Sequence, residues 1–284
     1  MKKYNRNIPD GAADIIFGGV LYIKKAVDIF RDVYEQLGYQ EIMTPALEYY
    51  DAFDFAGQPI EQESMYKLTD NNGRLLVLRP DNTTPVARVA ATKLSGDFFK
   101  ICYNQSVFRI IGGYSGKRSE IMQSGVEIIG RGGLETDLLC IETALKVLKA
   151  TGLNFKLEIG YVGYAVPLLF GGAEVIGEAR TRAGDNRQAC KILDYLQEIY
   201  DKLSDMGYAE HIIIDLGIVH EIDYYTGLVI GGYVEGIGES VLAGGRYDNL
   251  IANFGRDLPA VGFAVNINLI AKALEKSGRF GGES

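Results

Sequence analysis

Polar side chains that could bind an amino acid recur where the predicted strands end or turn. Gln123, Gly125 and Glu127 are two residues apart, so on a strand they share one face, and the glycine leaves room for a ligand to approach the backbone. Carboxylate, amide and hydroxyl oxygens can accept hydrogen bonds from an ammonium group and an imidazole. The pattern therefore favours an amino-acid pocket made by Asp81, Thr83, Gln123, Glu127 and Tyr225.

Other polar residues lie at predicted strand ends or turns as well. They are Arg79, Arg109 and two glycine-containing motifs, Asp223 to Gly227 and Gly244 to Asp248. Each polar residue taken alone is equally consistent with a strand face exposed to water. In the pair Tyr224-Tyr225, alternation along a strand sends the two rings to opposite faces, so one of them is expected to pack in the core.

The remaining motifs predict no catalytic centre. Residues 112–119 resemble a phosphate-binding loop, but the glycine spacing is one residue short and the context is a hairpin. Two histidines without a serine or cysteine at a nucleophile elbow argue against a hydrolase triad. The three cysteines are isolated, which argues against disulfides and zinc and predicts buried thiols. We expect no metal and no cofactor.

Composition and charge limit the class of protein. The 284 residues, 47% of them hydrophobic, can form one large domain or two small ones. A net charge of −8 has the wrong sign for a chain that grips a phosphate backbone, so no nucleic-acid partner is expected. The sequence shows no apolar run that could cross a membrane and no secretory signal. It therefore predicts a soluble cytoplasmic protein.

The hydrophobic pattern predicts an α+β fold, because runs of strands have helices set to one side. Helical spacing covers residues 20–37, 138–148 and 192–206. Antiparallel strands separated by glycine-rich turns are expected at 65–68, 75–78, 101–109, 122–129, 155–159, 212–216, 228–230 and 240–242. Residues 161–184 have weak periodicity and are expected to be an insertion or linker. Pro45 confines its segment to a sheet edge, which suits a dimer interface.

Six ordered segments resemble histidyl-tRNA synthetase, a class II aminoacyl-tRNA synthetase. They are Ile8 to Asp14, Arg79 to Thr83, Phe108 to Gly130, Asp223 to Gly227, Ala243 to Asp248, and Gly262-Phe263. The resemblance implies the class II antiparallel sheet flanked by helices. The chain is more similar still to the synthetase paralogues that serve as regulatory subunits of ATP phosphoribosyltransferase, the first enzyme of histidine biosynthesis. Those paralogues have the fold without aminoacylation.

Four positions depart from the synthetase, all on the side that binds ATP and activates the amino acid. Ile111 stands where the resemblance places an adenine-binding glutamate, and arginines are replaced at Ser119, His220 and Leu269. A leucine can neither neutralise phosphate nor stack as a guanidinium plane. Each such contact stabilises a transition state by about a few kcal/mol, so the loss of several would leave the rate of amino-acid activation negligible. Arg109 and Arg118 are expected to remain as a remnant nucleotide site.

The histidine-binding side is retained in the sequence. By resemblance, a histidine ligand would contact Asp81, Thr83, Gln123, Glu127, Tyr224 and Tyr225, where Asp81 replaces a glutamate of the family. We expect residues 1–284 to be a single class II synthetase-like domain with a shortened insertion around 161–207 and no anticodon-binding domain.

The resemblance implies a non-catalytic regulatory subunit that allows feedback regulation by histidine. Its expected partner is a short-form ATP phosphoribosyltransferase catalytic subunit, in a hetero-oligomer that contains a homodimer of this chain. The alternative is a truncated histidyl-tRNA synthetase catalytic domain that activates histidine with ATP. A stand-alone tRNA-binding module is a third possibility, which the negative charge disfavours.

Overall fold

The computed structural model describes residues 6–55, 60–111, 118–162, 166, 169–217 and 225–278. Over these residues the helices α1 to α6 span Gly18–Gln36, Thr83–Thr92, Leu134–Ala150, Glu174–Ala183, Arg187–Asp205 and Ile267–Ser277. The strands β1 to β6 span Gln40–Glu41, Leu47–Tyr49, Lys67–Thr69, Leu75–Leu78, Phe99–Phe108 and Glu120–Ile129. The strands β7 to β12 span Phe155–Tyr161, Phe170–Gly171, Ile212–Asp215, Leu228–Val234, Leu242–Arg246 and Ala260–Asn266. The predicted α+β class is confirmed.

The main sheet has nine strands in the order β1-β5-β6-β12-β11-β10-β7-β9-β8. From β5 to β7 in this order every neighbouring pair is antiparallel, as predicted. The pairs β1 with β5 and β7 with β9 are parallel, whereas antiparallel strands were predicted. Parallel neighbours need a long crossover connection, and between β7 and β9 the helices α4 and α5 supply it.

Helices α1, α3, α5 and α6 contribute to the main hydrophobic core on one face of this sheet. Helix α5 shows why they form: its buried residues Ile192, Leu196, Ile199 and Leu203 recur at helical spacing, and polar residues cover the other side. Val126 and Ile128 of β6 join the same core. Because side chains alternate along a strand, the residue between them, Glu127, points to the opposite face. There it meets α2 and a second hydrophobic cluster that includes Val86, Tyr103 and Tyr247.

Strands β2, β4 and β3 form a separate small sheet. The register aligns Leu47 with Leu78, and both Tyr49 and Leu68 with Leu76. Cross-strand partners share a face, so one side of this sheet is apolar throughout, and three of its side chains are more than two-fifths exposed. We call this surface the apolar face of the small sheet; it consists of Leu47, Tyr49, Leu68, Leu76 and Leu78. The predicted hairpin within this sheet is confirmed.

Two local features were not predicted from the sequence. Helix α4 lies in the region 161–184, for which an insertion or linker was expected. Its buried side has few apolar residues, Val175, Ile176 and Ala179, so the periodicity is weak and packing against α5 decides the structure. Strand β11 runs to Arg246, beyond the predicted 240–242, so Gly244 and Gly245 lie inside it and the Gly244 to Asp248 motif spans its end. Both positions need glycine, because Phe263 and the ring of Tyr225 occupy the space where side chains would stand.

The cysteines in the structure are free thiols, and two of them, Cys102 and Cys140, are buried as predicted, whereas Cys190 is half-buried. Burial raises the pKa of the Cys102 thiol to about 12, which leaves it unreactive at neutral pH. Within the described ranges, none of the helices has both the length and the apolar character needed to span a membrane.

Candidate functional site

The carboxylate of Glu127 is the centre of the polar cluster on the α2 side of the main sheet. It is almost fully buried and accepts hydrogen bonds from the hydroxyls of Thr83 at 2.9 Å, Tyr103 at 3.3 Å and Tyr247. The pKa of Glu127 is raised to about 8, chiefly by burial and also by the charge of Asp81, while the hydrogen bonds from the three hydroxyls oppose the rise. The result is a carboxyl group that a cationic ligand would turn into a carboxylate.

Glu127 fits in the sheet only because its neighbour on β12 is a glycine. A Cβ atom added to Gly262 would collide with the Glu127 carboxylate. This explains in physical terms the Gly262-Phe263 motif, since the cross-strand position opposite Glu127 must have no side chain. Strand β6 therefore supplies the acid, and the glycine opposite it on β12 supplies the space that the carboxylate needs.

The expectation that Gly125 leaves room for a ligand is corrected by the structure. A Cβ atom on Gly125 would stand 2.5 Å from the Tyr103 hydroxyl, so the Tyr103 ring fills this space. Tyr103 is the cross-strand partner of Gly125 on β5, and its ring reaches over the glycine to Glu127. The glycine makes room for a protein side chain here.

Thr83 and Asp81 lie at the start of α2 but act differently. Thr83 contacts Glu127, as a pocket residue should. The Asp81 carboxylate instead accepts from the backbone N–H of Thr84 at 2.7 Å and from its hydroxyl at 3.1 Å, which caps the first turn of the helix. Burial raises the pKa of Asp81, and the hydrogen bonds from Thr84 and the charge of Arg109 oppose this rise.

Gln123 lies on the same face of β6 and is held by the neighbouring loop. Its side-chain oxygen accepts a hydrogen bond from the Asn82 amide at 3.2 Å. Asn82 itself is buried and directly precedes Thr83. The start of α2 therefore contacts both Gln123 and Glu127, which brings Thr83, Gln123 and Glu127 into one cluster.

Tyr225 is buried with its ring against Gly245, and burial strongly raises the pKa of its hydroxyl. Tyr224, the other predicted tyrosine, lies outside the described residues, as does His220. Arg109 donates from Nε to the main-chain oxygen of Pro80 at 2.8 Å, and this holds its positive charge near Asp81. The structure thus places Arg109 next to the histidine-side cluster.

Arg118 lies elsewhere, in a cavity of 620 Å³ between α1, the start of β6 and α6. Ile111 and Leu269, two of the four departing positions, line the same cavity. Leu269 is in the first turn of α6, where its backbone N–H is capped by the Asn266 side chain at 3.2 Å. Ile111, Leu269 and Arg118 therefore line one cavity. Arg109 lies outside it, because its side chain is hydrogen-bonded to Pro80.

The described lining of this cavity offers little to bind a phosphate chain. Arg118 and Lys272 are the cations, and Glu239 and Glu275 supply an equal number of carboxylates. Apolar residues make up much of the rest, namely Ile15, Ile23, Ile111, Ile121, Leu269 and Ala271. A polyanion is attracted by a surplus of positive charge, which these residues do not provide.

Two residues of the Glu127 cluster, Tyr103 and Tyr247, were missed by the sequence analysis. Tyr247 belongs to the Gly244 to Asp248 motif, so its position in a glycine-rich motif was a usable signal. Tyr103 could have been found from the register of the β5–β6 hairpin, which places it opposite Gly125. Among the described residues, no group of three potential metal ligands was found.

The family model described as histidyl-tRNA synthetase matches residues 11–169 and 164–270. Together with the mostly antiparallel sheet, which has most helices on one face and α2 on the other, this match defines a class II synthetase-like protein of the histidyl-tRNA synthetase type. Curated relatives narrow this further. The chain is 39% identical to an ATP phosphoribosyltransferase regulatory subunit of Clostridium acetobutylicum, covering 97% of this chain and 80% of the relative. A protein of the same name from Bacillus cereus is 36% identical over 97% of this chain and 78% of the relative.

Solved structures agree with these relatives. A protein described as an ATP phosphoribosyltransferase regulatory subunit/histidyl-tRNA synthetase from Bacillus halodurans superposes with a TM-score of 0.86 at 30% identity, covering 96% of this chain and 84% of that one. A histidine–tRNA ligase subunit from Alicyclobacillus acidocaldarius shares the fold, with a TM-score of 0.78 at 22% identity over 96% of this chain and 98% of that one. The chain belongs to the family of ATP phosphoribosyltransferase regulatory subunits, which share the histidyl-tRNA synthetase fold.

Proposed function

We propose that this chain is a non-catalytic regulatory subunit of ATP phosphoribosyltransferase that binds histidine beside Glu127. It acts with a short-form catalytic subunit at the first step of histidine biosynthesis, in the cytoplasm, and it makes that step sensitive to histidine. The family relationship supports the regulatory role. The observation that supports histidine as the ligand is the environment of the Glu127 carboxyl group. This group is buried, accepts hydrogen bonds from three hydroxyls and lies on the same strand face as Gln123.

The chemistry of this cluster suits histidine. A histidine side chain or ammonium group brings N–H donors and a positive charge, and Glu127 and Gln123 offer acceptors that face the same side of β6. Arg109 lies close by, held at Pro80, where a guanidinium could meet the ligand's carboxylate. We propose Tyr224 and Tyr225 as further contacts, with Asp81 contributing its charge while it caps α2.

We also propose that aminoacylation is lost. The cavity lined by Ile111 and Leu269 supports this, since its described cations are matched by carboxylates and two of its apolar residues replace polar side chains of the synthetase. Of the two residues predicted to remain from the nucleotide site, Arg118 lines that cavity and Arg109 does not. Without a surplus of positive charge, ATP would gain little by binding there.

The apolar face of the small sheet supports a homodimer within the hetero-oligomer. It lies next to Pro45, at the sheet edge for which a dimer interface was predicted. A contiguous exposed apolar surface of this kind is typical of a protein–protein interface. We propose that a second copy of this chain covers it.

The decisive experiment mixes the purified chain with a short-form catalytic subunit and measures phosphoribosyl transfer with and without histidine. We expect the chain to stimulate transfer, and histidine to reduce the stimulated rate. A Glu127→Gln variant should still stimulate transfer but should respond to histidine only at higher concentration. No stimulation by the wild-type chain would overturn the regulatory role.

A second assay separates this function from the alternative, an active truncated synthetase. Exchange of pyrophosphate into ATP, driven by histidine, requires an activated histidyl adenylate. We expect no such exchange above background. Histidine-dependent exchange would establish the enzyme and overturn the loss of aminoacylation, whatever the result with the catalytic subunit.

A further inference from the structure

A buried series of hydrogen bonds leads from Gln123 to the start of the small sheet. The Asn82 amide donates to the Gln123 side chain at 3.2 Å and to the main-chain oxygen of Gln105 at 3.3 Å. The side-chain oxygen of Gln105 then accepts from the backbone N–H of Thr44 at 2.8 Å. Strand β2 begins shortly after Thr44, at Leu47. The series therefore joins the proposed histidine pocket to the apolar face of the small sheet.

Arg79 lies at the junction of this series. From Nη1 it donates to the main-chain oxygens of Thr44 at 2.6 Å and Pro45 at 3.2 Å, and to the Gln105 side chain at 3.2 Å. From Nε it donates to the main-chain oxygen of Ser106 at 2.7 Å. A buried guanidinium is costly to desolvate, and here uncharged oxygens from two other segments of the chain satisfy it. Arg79 thus holds residues 44–46 and 105–106 against its own loop.

That loop is the one that carries the pocket residues. The backbone N–H of Arg79 donates to the main-chain oxygen of Ala46 at 2.9 Å, so β2 and the loop before α2 are joined through the main chain as well. From Arg79 the chain runs through Asn82 directly into Thr83, which contacts Glu127. The same short loop therefore touches the pocket at one end and the small sheet at the other.

The members of this series have little freedom to move independently. Thr44, Arg79, Asn82 and Gln105 are all less than 9% exposed. Breaking one hydrogen bond in such a place leaves another polar group unpaired away from water, as the Asn82 side-chain oxygen already is, so a buried network tends to adopt only a few arrangements. A ligand that turns the Gln123 side chain would require Asn82 and Gln105 to rearrange with it.

We propose that Arg79 and Gln105 are positioning residues that transmit occupancy of the histidine pocket to residues 44–46 and so to the apolar face of the small sheet. This inference rests on the proposed function, because it requires histidine to bind beside Gln123. If histidine binds one arrangement of the network better than another, its binding shifts the protein towards that arrangement and changes the conformation of the apolar face. By reciprocity, whatever covers that face changes the affinity for histidine.

Hydrogen exchange on the full chain, with and without L-histidine, tests this directly. A peptide over residues 120–128 reports on the pocket, and a peptide over residues 43–50 reports on the start of the small sheet. In the wild type we expect histidine to slow exchange in both, by about twofold or more in the second peptide. Gln105→Met keeps the size of the side chain and removes the acceptor, so the first peptide should respond and the second should not. Gln105→Glu keeps acceptor oxygens and should restore the response.

The outcomes separate the coupling from the histidine site. A wild-type response at 120–128 without one at 43–50 overturns the coupling and leaves the site standing. No response in either peptide overturns histidine binding itself. A response at 43–50 that survives Gln105→Met shows that Gln105 does not transmit it and also overturns the inference. If Gln105→Met does not fold, Asn82→Asp keeps the size of the side chain and removes the amide that donates to Gln123 and to the main-chain oxygen of Gln105. A response at 43–50 that survives Asn82→Asp, while 120–128 still responds, also overturns the inference.

Discussion

The Thr83 hydroxyl, in the first turn of α2, donates a hydrogen bond of 2.9 Å to the Glu127 carboxylate in the middle of β6. The preceding residue, Asn82, holds Gln123 on the same strand. One helix start therefore positions both polar side chains that β6 presents to the proposed ligand. The geometry of the pocket depends on how α2 packs over the sheet, and this can be tested through Thr83.

Thr83→Val should weaken histidine binding by about tenfold, because Glu127 loses one of three hydrogen-bond donors and a hydrogen bond to a charged group contributes about 1.5 to 3 kcal/mol. Thr83→Ser keeps the hydroxyl and is the matched control, with an affinity near that of the wild type. Isothermal titration calorimetry with L-histidine measures both. Equal affinities for the valine and serine variants would contradict the assignment of Thr83 to the pocket.

Glu127 should make the free energy of unfolding depend on pH. Its pKa is about 8 in the folded protein against an ordinary value of 4.5, so between these values the folded state holds a proton that the unfolded chain has released. Stability from this group is complete below about pH 4.5 and is lost as the pH rises towards 8, by up to about 1.4 kcal/mol per pH unit.

Glu127→Gln removes this titration and retains the other buried acids, so it is the control. Urea unfolding at about pH 5.5 and about pH 7.5 should show the wild type losing about 2 kcal/mol more than the variant over that interval. A wild type that gains stability relative to the variant as the pH rises would show that the folded state depresses the pKa of Glu127.

The buried ion pair between Arg246 and Asp137 should matter far more than ion pairs on the surface. Both side chains are less than 9% exposed, and Asp137 also accepts from the Tyr195 hydroxyl of α5. Asp137→Asn should cost about 3 kcal/mol, because it removes the buried partner of Arg246 and leaves only the partly exposed Asp248, at 2.9 Å, to balance the charge.

Asp194→Asn is the matched control for this prediction. Asp194 pairs with Arg180 at 2.5 Å, but both side chains are at least 40% exposed. Its loss should cost less than about 1 kcal/mol, since water screens the pair. Chemical denaturation measures the free energy of unfolding of both variants. Similar losses of stability would contradict the burial of the Arg246–Asp137 pair.

The apolar face of the small sheet should control self-association. Leu47→Lys places a charge on that face and should weaken the proposed dimer by at least about tenfold, because a charge buried in an interface must be desolvated. Lys67 aligns with Val77 and so lies on the opposite face, and Lys67→Gln should leave the dimer unchanged. Sedimentation equilibrium measures the dissociation constants. A dimer that tolerates Leu47→Lys must form through another surface.

Features that depend on local periodicity were predicted well. The spacing of Gln123 and Glu127 placed them on one face of a strand, and the structure confirms that face in β6. The first helix and the β5–β6 pair were also predicted close to their observed bounds, because each has a clear hydrophobic period. Helix α4 was missed since its three buried residues are too few to produce such a period.

Features that depend on contacts between distant segments were predicted poorly. Gly125 was read as space for a ligand, yet Tyr103 fills it, because the register of β5 against β6 brings that ring over the glycine. Asp81 was assigned only to the pocket, whereas its short side chain turns back to Thr84 and caps α2. In both cases the residue type was interpreted correctly, but the side chain or backbone group that the residue contacts could not be predicted from the sequence.

The sequence by itself determined which side chains the protein has for the proposed amino-acid pocket and which positions depart from the synthetase, because residue identity and spacing along a strand are local properties. Only the tertiary structure decided that Glu127 accepts hydrogen bonds from hydroxyls of α2, β5 and the residue that follows β11, and that Ile111 and Leu269 line one cavity. These relationships arise from strand register and helix packing, which join residues that are far apart in the chain and which no local pattern specifies.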